Sequence, residues 1–258
     1  MYRVRSTGLW YNAPGVVAAY QPIAAPDAFA ARQNVGNDGR MAERHMATAV
    51  GSPAFASATG WSGFSAANYF STGVIPAAGY SMIVQFAGGS GTAWSEVAGS
   101  LGSGTTRFRI HAKFVNNPAA RGYSFAGVSQ QGGASVNSGV MAITPGQGFF
   151  NGLPDHTPFS PSWSGTAADI FIGTYNGNGT ASNAFWTGAI GSCVIYACKL
   201  SASAIWQYSR QMAYCHVNPD WSAWGRRRRY YYAPSAAGFQ AAWSGQANRL
   251  IGGGADRV

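Results

Sequence analysis

The stretch RFRIHAKFV, residues 107–115, decides the reading of the fold. Phe108, Ile110, Ala112 and Phe114 fall on one side of an extended chain, and Arg107, Arg109, His111 and Lys113 fall on the other. A two-residue period of this kind belongs to a β-strand with one apolar and one polar face. YSMIVQF (80–86) alternates in the same way, with Tyr80, Met82, Val84 and Phe86 opposite Ser81, Ile83 and Gln85. Further strand candidates are YSFAGVS (123–129), GVMAIT (139–144), DIFIGTY (169–175) and FWTGAIGSCVIYACKL (185–200). Breaks such as GGSGT (88–92) and YNGNGTAS (175–182) separate them. Short strands with one apolar face each, punctuated by glycine and asparagine, predict an all-β protein: two antiparallel sheets packed face to face.

One helix interrupts the pattern. In SASAIWQYSRQMAYC (201–215), Ser201 is suited to cap a helix that sets Ile205, Tyr208 and Met212 on one stripe. The helix is expected over about 201–214, before the Asn218-Pro219 pair. Residues 1–14 then form an N-terminal arm, 15–218 the sandwich with its closing helix, and 219–258 an Arg- and aromatic-rich C-terminal arm.

Composition limits the functional classes. Charged residues are 10% of the 258, with 17 Lys and Arg against 8 Asp and Glu, for a net charge of +9. An ordinary soluble domain carries about 25% charged residues. A surface built instead from Ser, Thr, Asn, Gln and 35 glycines suits neutral packing against neighbours, so the chain is expected inside an assembly. The N-terminus has no apolar signal-peptide core, and no run reaches the roughly 20 apolar residues of a membrane span. Synthesis in a cytoplasm without general export is expected. Cys193 and Cys198 lie five apart and point to opposite faces of a strand-like run; with Cys215 they read as free thiols without metal spacing.

Catalytic chemistry finds little to use. Glycoside hydrolysis needs two carboxylates about 5–9 Å apart, and no strand offers acidic residues two apart. Glu43 and Glu96 read as loop residues. His45, His111, His156 and His216 have no partner at i+2 or i+4, and Asp155-His156 before Thr157-Pro158 reads as a turn. No G-x-S-x-G, H-E-x-x-H or phosphate-binding loop occurs. The expectation is a non-enzymatic chain with no catalytic residues, no metal and no cofactor. Nine tryptophans and thirteen tyrosines could stack on sugar rings, so non-catalytic binding of a host-surface glycan stays open.

Two cationic features need a reading. The face Arg107-Arg109-His111-Lys113 either solvates the outer side of a sheet or docks on a negatively charged partner. In WGRRRRYYYAP (224–234), Arg226, Arg227, Arg228 and Arg229 run into Tyr230, Tyr231 and Tyr232, with Trp221 and Trp224 before them. Adjacent arginines on an extended chain point to both sides and form no single nucleic-acid face, although charge alone supports non-specific phosphate contact. The aromatic content argues against a solvated tail. Cationic and aromatic side chains together are what protein interfaces enrich, so these nine residues are the candidate assembly interface.

Three stretches resemble the laminin-G-like, concanavalin-A-like jelly-roll domains of tailed-bacteriophage virion proteins. GVVAAYQPI (15–23) is similar to the family's opening strand. GWSGFSAANYFSTGVIPAAGYSMIVQF (60–86) is similar to its Phe-x-Gly…Tyr…Thr-Gly strand and the strand that follows. GAIGSCVIYACKLSASAIWQYSRQM (188–212) is similar to its closing strand and helix. NPDWSAWGRRRRYYYAP (218–234) resembles the Asn-Pro-Trp turn and arginine-rich continuation, with Asp220 inserted, so the likeness spans 15–234. Two departures stand out: Ala204 occupies the place of a capping glutamate, and the loop-tip carboxylates of calcium-binding members are missing. The resemblance implies a jelly-roll sandwich and a structural role in a phage particle. Such a protein would be attached outside the tail or capsid, would partner other virion proteins, and would form a homo-oligomer, with a trimer the first expectation.

Overall fold

The computed structural model describes residues 9–36, 44–89, 94–102, 106–114, 117–164 and 168–214. Within them the strands, in chain order, are β1 (Val16–Tyr20), β2 (Thr48–Val50), β3 (Ala54–Ala56), β4 (Gly60–Ser62), β5 (Tyr69–Ser71), β6 (Ser81–Ala87), β7 (Ser95–Leu101), β8 (Arg107–Lys113), β9 (Ala120–Ala126), β10 (Val128–Ala134), β11 (Gly139–Thr144), β12 (Gln147–Phe150), β13 (Leu153–Pro154), β14 (Phe171–Ile172), β15 (Tyr175–Gly177), β16 (Thr180–Ala181) and β17 (Ala189–Tyr196). The helices are α1 (Ala28–Ala31) and α2 (Ala202–Tyr214). One sheet runs β13-β12-β11-β6-β17-β4-β3, with β1 also on β17; the other runs β10-β9-β8-β7-β14-β5-β2, with β15 and β16 branching from β7. Pairing between these strands is antiparallel except for β15 on β7, and an isolated parallel bridge joins Glu96 to Phe185.

The two sheets close on side chains that the two-residue period predicts. Met82, Val84 and Phe86 of β6 meet Phe108 and Ile110 of β8 and Phe125 of β9 in one fully buried cluster. Trp61 of β4 stacks on Phe70 of β5 at 4.2 Å, joining the two sheets through their rings. Each such side chain contributes about 1.5–3 kcal/mol when removed from water. Tyr123 crosses from β9 to bring its OH within 3.0 Å of Phe149 O. Its ring lies so close over Gly148 that a Cβ there would sit 2.3 Å from a ring carbon, so β12 needs glycine at this point.

The central strands of the first sheet, β6, β11 and β17, are buried on both faces, which corrects the expectation of one apolar face per strand. Its outer side carries Ile83, Val140, Ala142, Val194 and Tyr196, and these pack under Ile205, Tyr208 and Met212 of α2. The helix is capped as predicted, Ala204 N–H donating to Ser201 Oγ at 3.2 Å. Trp10, Tyr11 and Ala13, assigned by sequence to an arm, are buried in the same layer. Trp10 N–H donates to Gln211 Oε1 at 2.9 Å, and Tyr196 OH donates to Trp10 O at 2.6 Å. Apolar positions of both parities on β6 and β17 thus have partners, one set between the sheets and one beneath the helix.

Two boundaries differ from the sequence reading. YSFAGVS is not one strand: the chain reverses at Ala126-Gly127, pairing Phe125 with Val128, with Ala126 at φ 52°. Alanine rarely adopts that conformation, so the turn carries no sequence signal. DIFIGTY divides into β14 and β15. Cys193 faces the inter-sheet core, and Cys198 packs against the helix-side cluster; both are free thiols, Cys198 only half-buried. Cys215, the Asn218-Pro219 pair and residues 219–258 lie outside the described residues.

Candidate functional site

The strand that fixes the fold also carries the densest polar cluster, on the outer face of the second sheet. Glu96 of β7 stands opposite His111 of β8. A register irregularity on each side of Glu96 puts Val97 and Ala98 both into the inter-sheet core and leaves the carboxylate facing outward. Arg109 Nη1 donates to Glu96 Oε1 at 3.0 Å, and His111 Nδ1 lies 3.1 Å from the same oxygen. Trp94 Nε1 donates to Glu96 Oε1 at 3.2 Å. On the far side of the imidazole, Nε2 meets Ser124 Oγ of β9 at 3.1 Å. Ser124 Oγ is 2.8 Å from Ser129 Oγ of β10, which accepts from Arg107 Nη1 at 3.1 Å. A single chain of polar contacts therefore ties β7, β8, β9 and β10 together.

Burial sets the electrostatics. Glu96, His111 and Ser124 are fully buried, and Arg109 and Lys113 are nearly so. The expectation that Arg107, Arg109, His111 and Lys113 form a solvated row is therefore corrected. Only Arg107 keeps part of its surface; a carboxylate on the next strand and the rings of Trp94 and Tyr175 occupy the place of water. The Arg109 guanidinium lies 4.6 Å from the Tyr175 ring centroid, and Tyr175 stacks on Trp94 at 6.1 Å. Gly99, opposite Arg109, makes the room: a Cβ there would lie 2.7 Å from Arg109 Cγ. Burial holds the His111 imidazole below its ordinary range; Glu96 works against this, and Arg109 and Arg107 reinforce it. Arg107 is also pulled down, by burial and then by Arg109. Glu96 Oε2, Arg109 Nε and Arg107 Nε are buried without a hydrogen-bond partner.

Ser124, His111 and Glu96 follow one another in the order of nucleophile, base and orienting carboxylate. The surroundings do not suit that chemistry. Ser124 has no exposed surface, and Glu96 Oε1 is already neutralised by Arg109. The arrangement suits a lock that holds four strands in register.

A second cluster bridges the two sheets. Asp155, beyond β13, receives Arg121 of β9 through Nε at 2.8 Å and Nη2 at 2.5 Å, and Tyr123 OH lies 2.8 Å from Oδ2. Arg121 stacks on Phe150 at 3.9 Å and donates to Ala134 O at 2.5 Å. Burial would push Asp155 up, but the hydrogen bonds from Arg121 and Tyr123 outweigh it and hold the carboxyl below its usual range. His156 accepts from Gly148 N–H through Nε2 at 2.8 Å, so the Asp155-His156 dipeptide is also a brace.

Sequence reasoning missed Glu96, Trp94, Ser124 and Tyr175. Glu96 read as a loop residue because SEVAGSL mixes polar and small residues and its bulge breaks the alternation. A lone acid one hairpin away from a basic strand was the available signal. The remaining described carboxylates are also held. Asp27 Oδ1 accepts Ala30 N–H at the start of α1, and Asp169 accepts from Ser71 Oγ and Asn176 Nδ2, each at 2.5 Å. Among the described residues, no three His, Cys, Asp or Glu side chains gather as a metal site, and no helix is long and apolar enough to cross a membrane. The candidate interface of Trp221, Trp224, Arg226–Arg229 and Tyr230–Tyr232 lies outside the described residues, as does Glu43.

No protein-family model matches the chain, and no curated protein matches it. Solved structures do share the two-sheet arrangement. Domain 4 of AbnA, a GH43 extracellular arabinanase from Geobacillus stearothermophilus, in complex with arabinotriose, is similar over 75% of this chain and 98% of that one, at TM-score 0.51 and 13% identity. Trypanosoma rangeli sialidase in complex with a difluoro-KDN compound is similar over 82% of this chain and 36% of that one, at TM-score 0.54 and 10% identity. The same sialidase with sialic acid gives 76% and 33%, at TM-score 0.52 and 11% identity. The chain thus spans about a third of the sialidase chains. At these identities the likeness defines the fold class alone: a jelly-roll-like β-sandwich of the kind found within glycosidases.

Proposed function

We propose that this chain is a non-enzymatic structural component of a tailed-phage virion, attached outside the tail or capsid and working through protein–protein assembly. The observation that carries this reading is where the phage-like stretches fall in the fold. The stretch 15–23 supplies β1, 60–86 supplies β4 to β6, and 188–212 supplies β17 and α2. β17 pairs with β1, β4 and β6, and α2 packs over β6 and β17, so pieces distant in sequence meet around β17. The described carboxylates support a role without catalysis, because each already holds a backbone or side-chain partner. The cationic-aromatic residues Trp221 to Tyr232 latch on to neighbouring subunits in this reading, and the chain is a homo-oligomer, a trimer in the first instance. Peptide mapping of purified particles tests it. The chain should be present in stoichiometric amounts and lost from particles when 219–258 are deleted; its absence from particles removes the reading.

A second reading, a module that binds a host-surface glycan, draws on the whole-domain likeness to the arabinanase domain solved with arabinotriose and on the half-exposed Trp94 and Tyr175 rings. Saturable binding on a glycan array, lost in Trp94→Ala, would favour it. Nucleic-acid contact through Arg226–Arg229 is the third reading; it requires binding that weakens steeply with salt.

A further inference from the structure

The edges of the two sheets are unequal. β13 ends the first sheet with two residues and β3 with three; β2 ends the second with three. Shortness is a common way to keep an edge from pairing with another chain. The outer side of β1 is covered instead: Val35 N–H donates to Ala19 O at 2.8 Å, and Asn34 bridges Val17 O and Ala19 N–H at 2.9 Å each. Among the described residues, β10 has neither protection. It is a seven-residue edge, Val128–Ala134, partly or fully exposed along its length, and without a charge or a proline.

The register says which backbone groups it offers. Phe125 and Val128 flank the two-residue turn and form the hydrogen-bonded closing pair. Alternation makes Tyr123 and Gln130 the next bonded pair. Ser124–Ser129 and Gly122–Gln131 are then non-bonded pairs, and the 2.8 Å contact between Ser124 and Ser129 hydroxyls fits the closer approach of side chains in such pairs. The N–H and C=O of Ser129 and Gln131 consequently point away from β9. Beyond them the edge is closed by the Asp155 clamp, because Gly133 N–H donates to Asp155 Oδ1 at 3.2 Å and Ala134 O accepts from Arg121.

We propose that the β10 edge, residues 128–132, is a strand-addition surface whose occupant is β10 of a second copy of this chain, paired antiparallel about a two-fold axis. The choice of occupant follows from charge and symmetry. The strand carries no charge to select an acidic or a basic partner, and an antiparallel copy returns the same N–H and C=O spacing, so the contact is self-complementary. The proposal rests on the assembly reading in treating the chain as an oligomer, and it adds the surface. A two-fold edge contact builds a dimer, so a trimer needs another interface.

Light scattering across a concentration series on the full chain tests it, with Gln131→Pro as the variant. Proline is tolerated on an edge where its missing N–H faces solvent, so the variant keeps the fold by circular dichroism while losing the outward donor. The expected result is a dimeric wild type and a monomeric variant. A wild type that stays monomeric up to its solubility limit, or a folded Gln131→Pro that stays dimeric, overturns the proposal. If Gln131→Pro does not fold, Gln131→Lys and Gln131→Glu decide: each weaker alone and an equimolar mixture restored supports edge pairing, and two unaltered dimers overturn it. The virion reading fails separately, by absence from particles, whatever the oligomeric state.

Discussion

Arg121 and Asp155 meet through two parallel hydrogen bonds, of 2.8 and 2.5 Å, although they belong to different sheets. Arg121 comes from β9 of one sheet and Asp155 follows β13 of the other, so the pair acts as a clasp between the two sheets. Tyr123 adds a third contact to the same carboxylate. Breaking a largely buried pair by removing one charge costs about 3 kcal/mol or more, because the partner stays desolvated and unpaired. Asp155→Asn is expected to lower the unfolding free energy by that amount, read as a fall in the urea midpoint with little change in slope; a midpoint within error of wild type would show the clasp to be energetically idle.

The same argument applies inside the strand cluster, with a sharper control. Glu96→Gln leaves Arg109 buried beside a neutral amide and should destabilise by about 3–5 kcal/mol. Replacing both residues by apolar ones of similar volume, Glu96→Met with Arg109→Met, should recover most of the loss, since no charge is then stranded. A double variant as weak as the sum of the singles would show that the two residues act independently.

How much of this was legible in the sequence follows from which signals are local. Alternation in 80–86 and 107–115 and the stripe Ile205-Tyr208-Met212 are local, and β6, β8 and α2 form where they predict. The burial of Arg109 and His111 is not local, because it depends on Glu96, placed opposite by a bulge that interrupts the alternation used to find strands. Asp155 reads as a turn residue, but it directly follows β13 and its N–H donates to Gly148 O at 3.0 Å, with a bend only at His156. Its role comes from Arg121, 34 positions earlier, and no spacing rule connects them. Trp10 and Tyr11 read as an arm because residues 1–14 show no period; only the helix above the first sheet gives them a place.

His111 makes the cluster sensitive to pH. Burial keeps its folded-state pKa below the ordinary value of about 6.5, and the unfolded chain titrates near that value. As pH falls below about 6.5, the unfolded state takes up a proton that the folded state resists, so stability declines. Asp155 adds a loss only lower, below the ordinary carboxylate value of about 4, because its folded pKa is depressed. Urea midpoints measured between these values should fall with pH in wild type and stay flatter in His111→Gln. Equal slopes in the two proteins would assign the effect elsewhere.

The Ser124–His111–Glu96 row gives a direct check on the non-enzymatic reading. A serine acting in acyl transfer must present its oxygen to a substrate carbonyl, and Ser124 Oγ is enclosed by His111 and Ser129 with no exposed surface. A fluorophosphonate probe is therefore expected to leave the folded chain unlabelled, and Ser124→Ala is expected to change stability but no esterase rate.

Gly148 offers the most local test of the packing. A methyl group there would lie 2.3 Å from a ring carbon of Tyr123, far inside van der Waals contact. The ring cannot simply swing away, because Tyr123 OH is held at 3.0 Å from Phe149 O and 2.8 Å from Asp155 Oδ2. The strain must pass to β12 or to the Arg121–Asp155 clasp. Gly148→Ala should destabilise by about 1–3 kcal/mol, the range for an extra methylene forced into a filled core. Adding Tyr123→Leu removes the obstructing ring and should make Gly148→Ala nearly neutral in that background. A Gly148→Ala cost that persists without the ring would place the need for glycine in the backbone of β12.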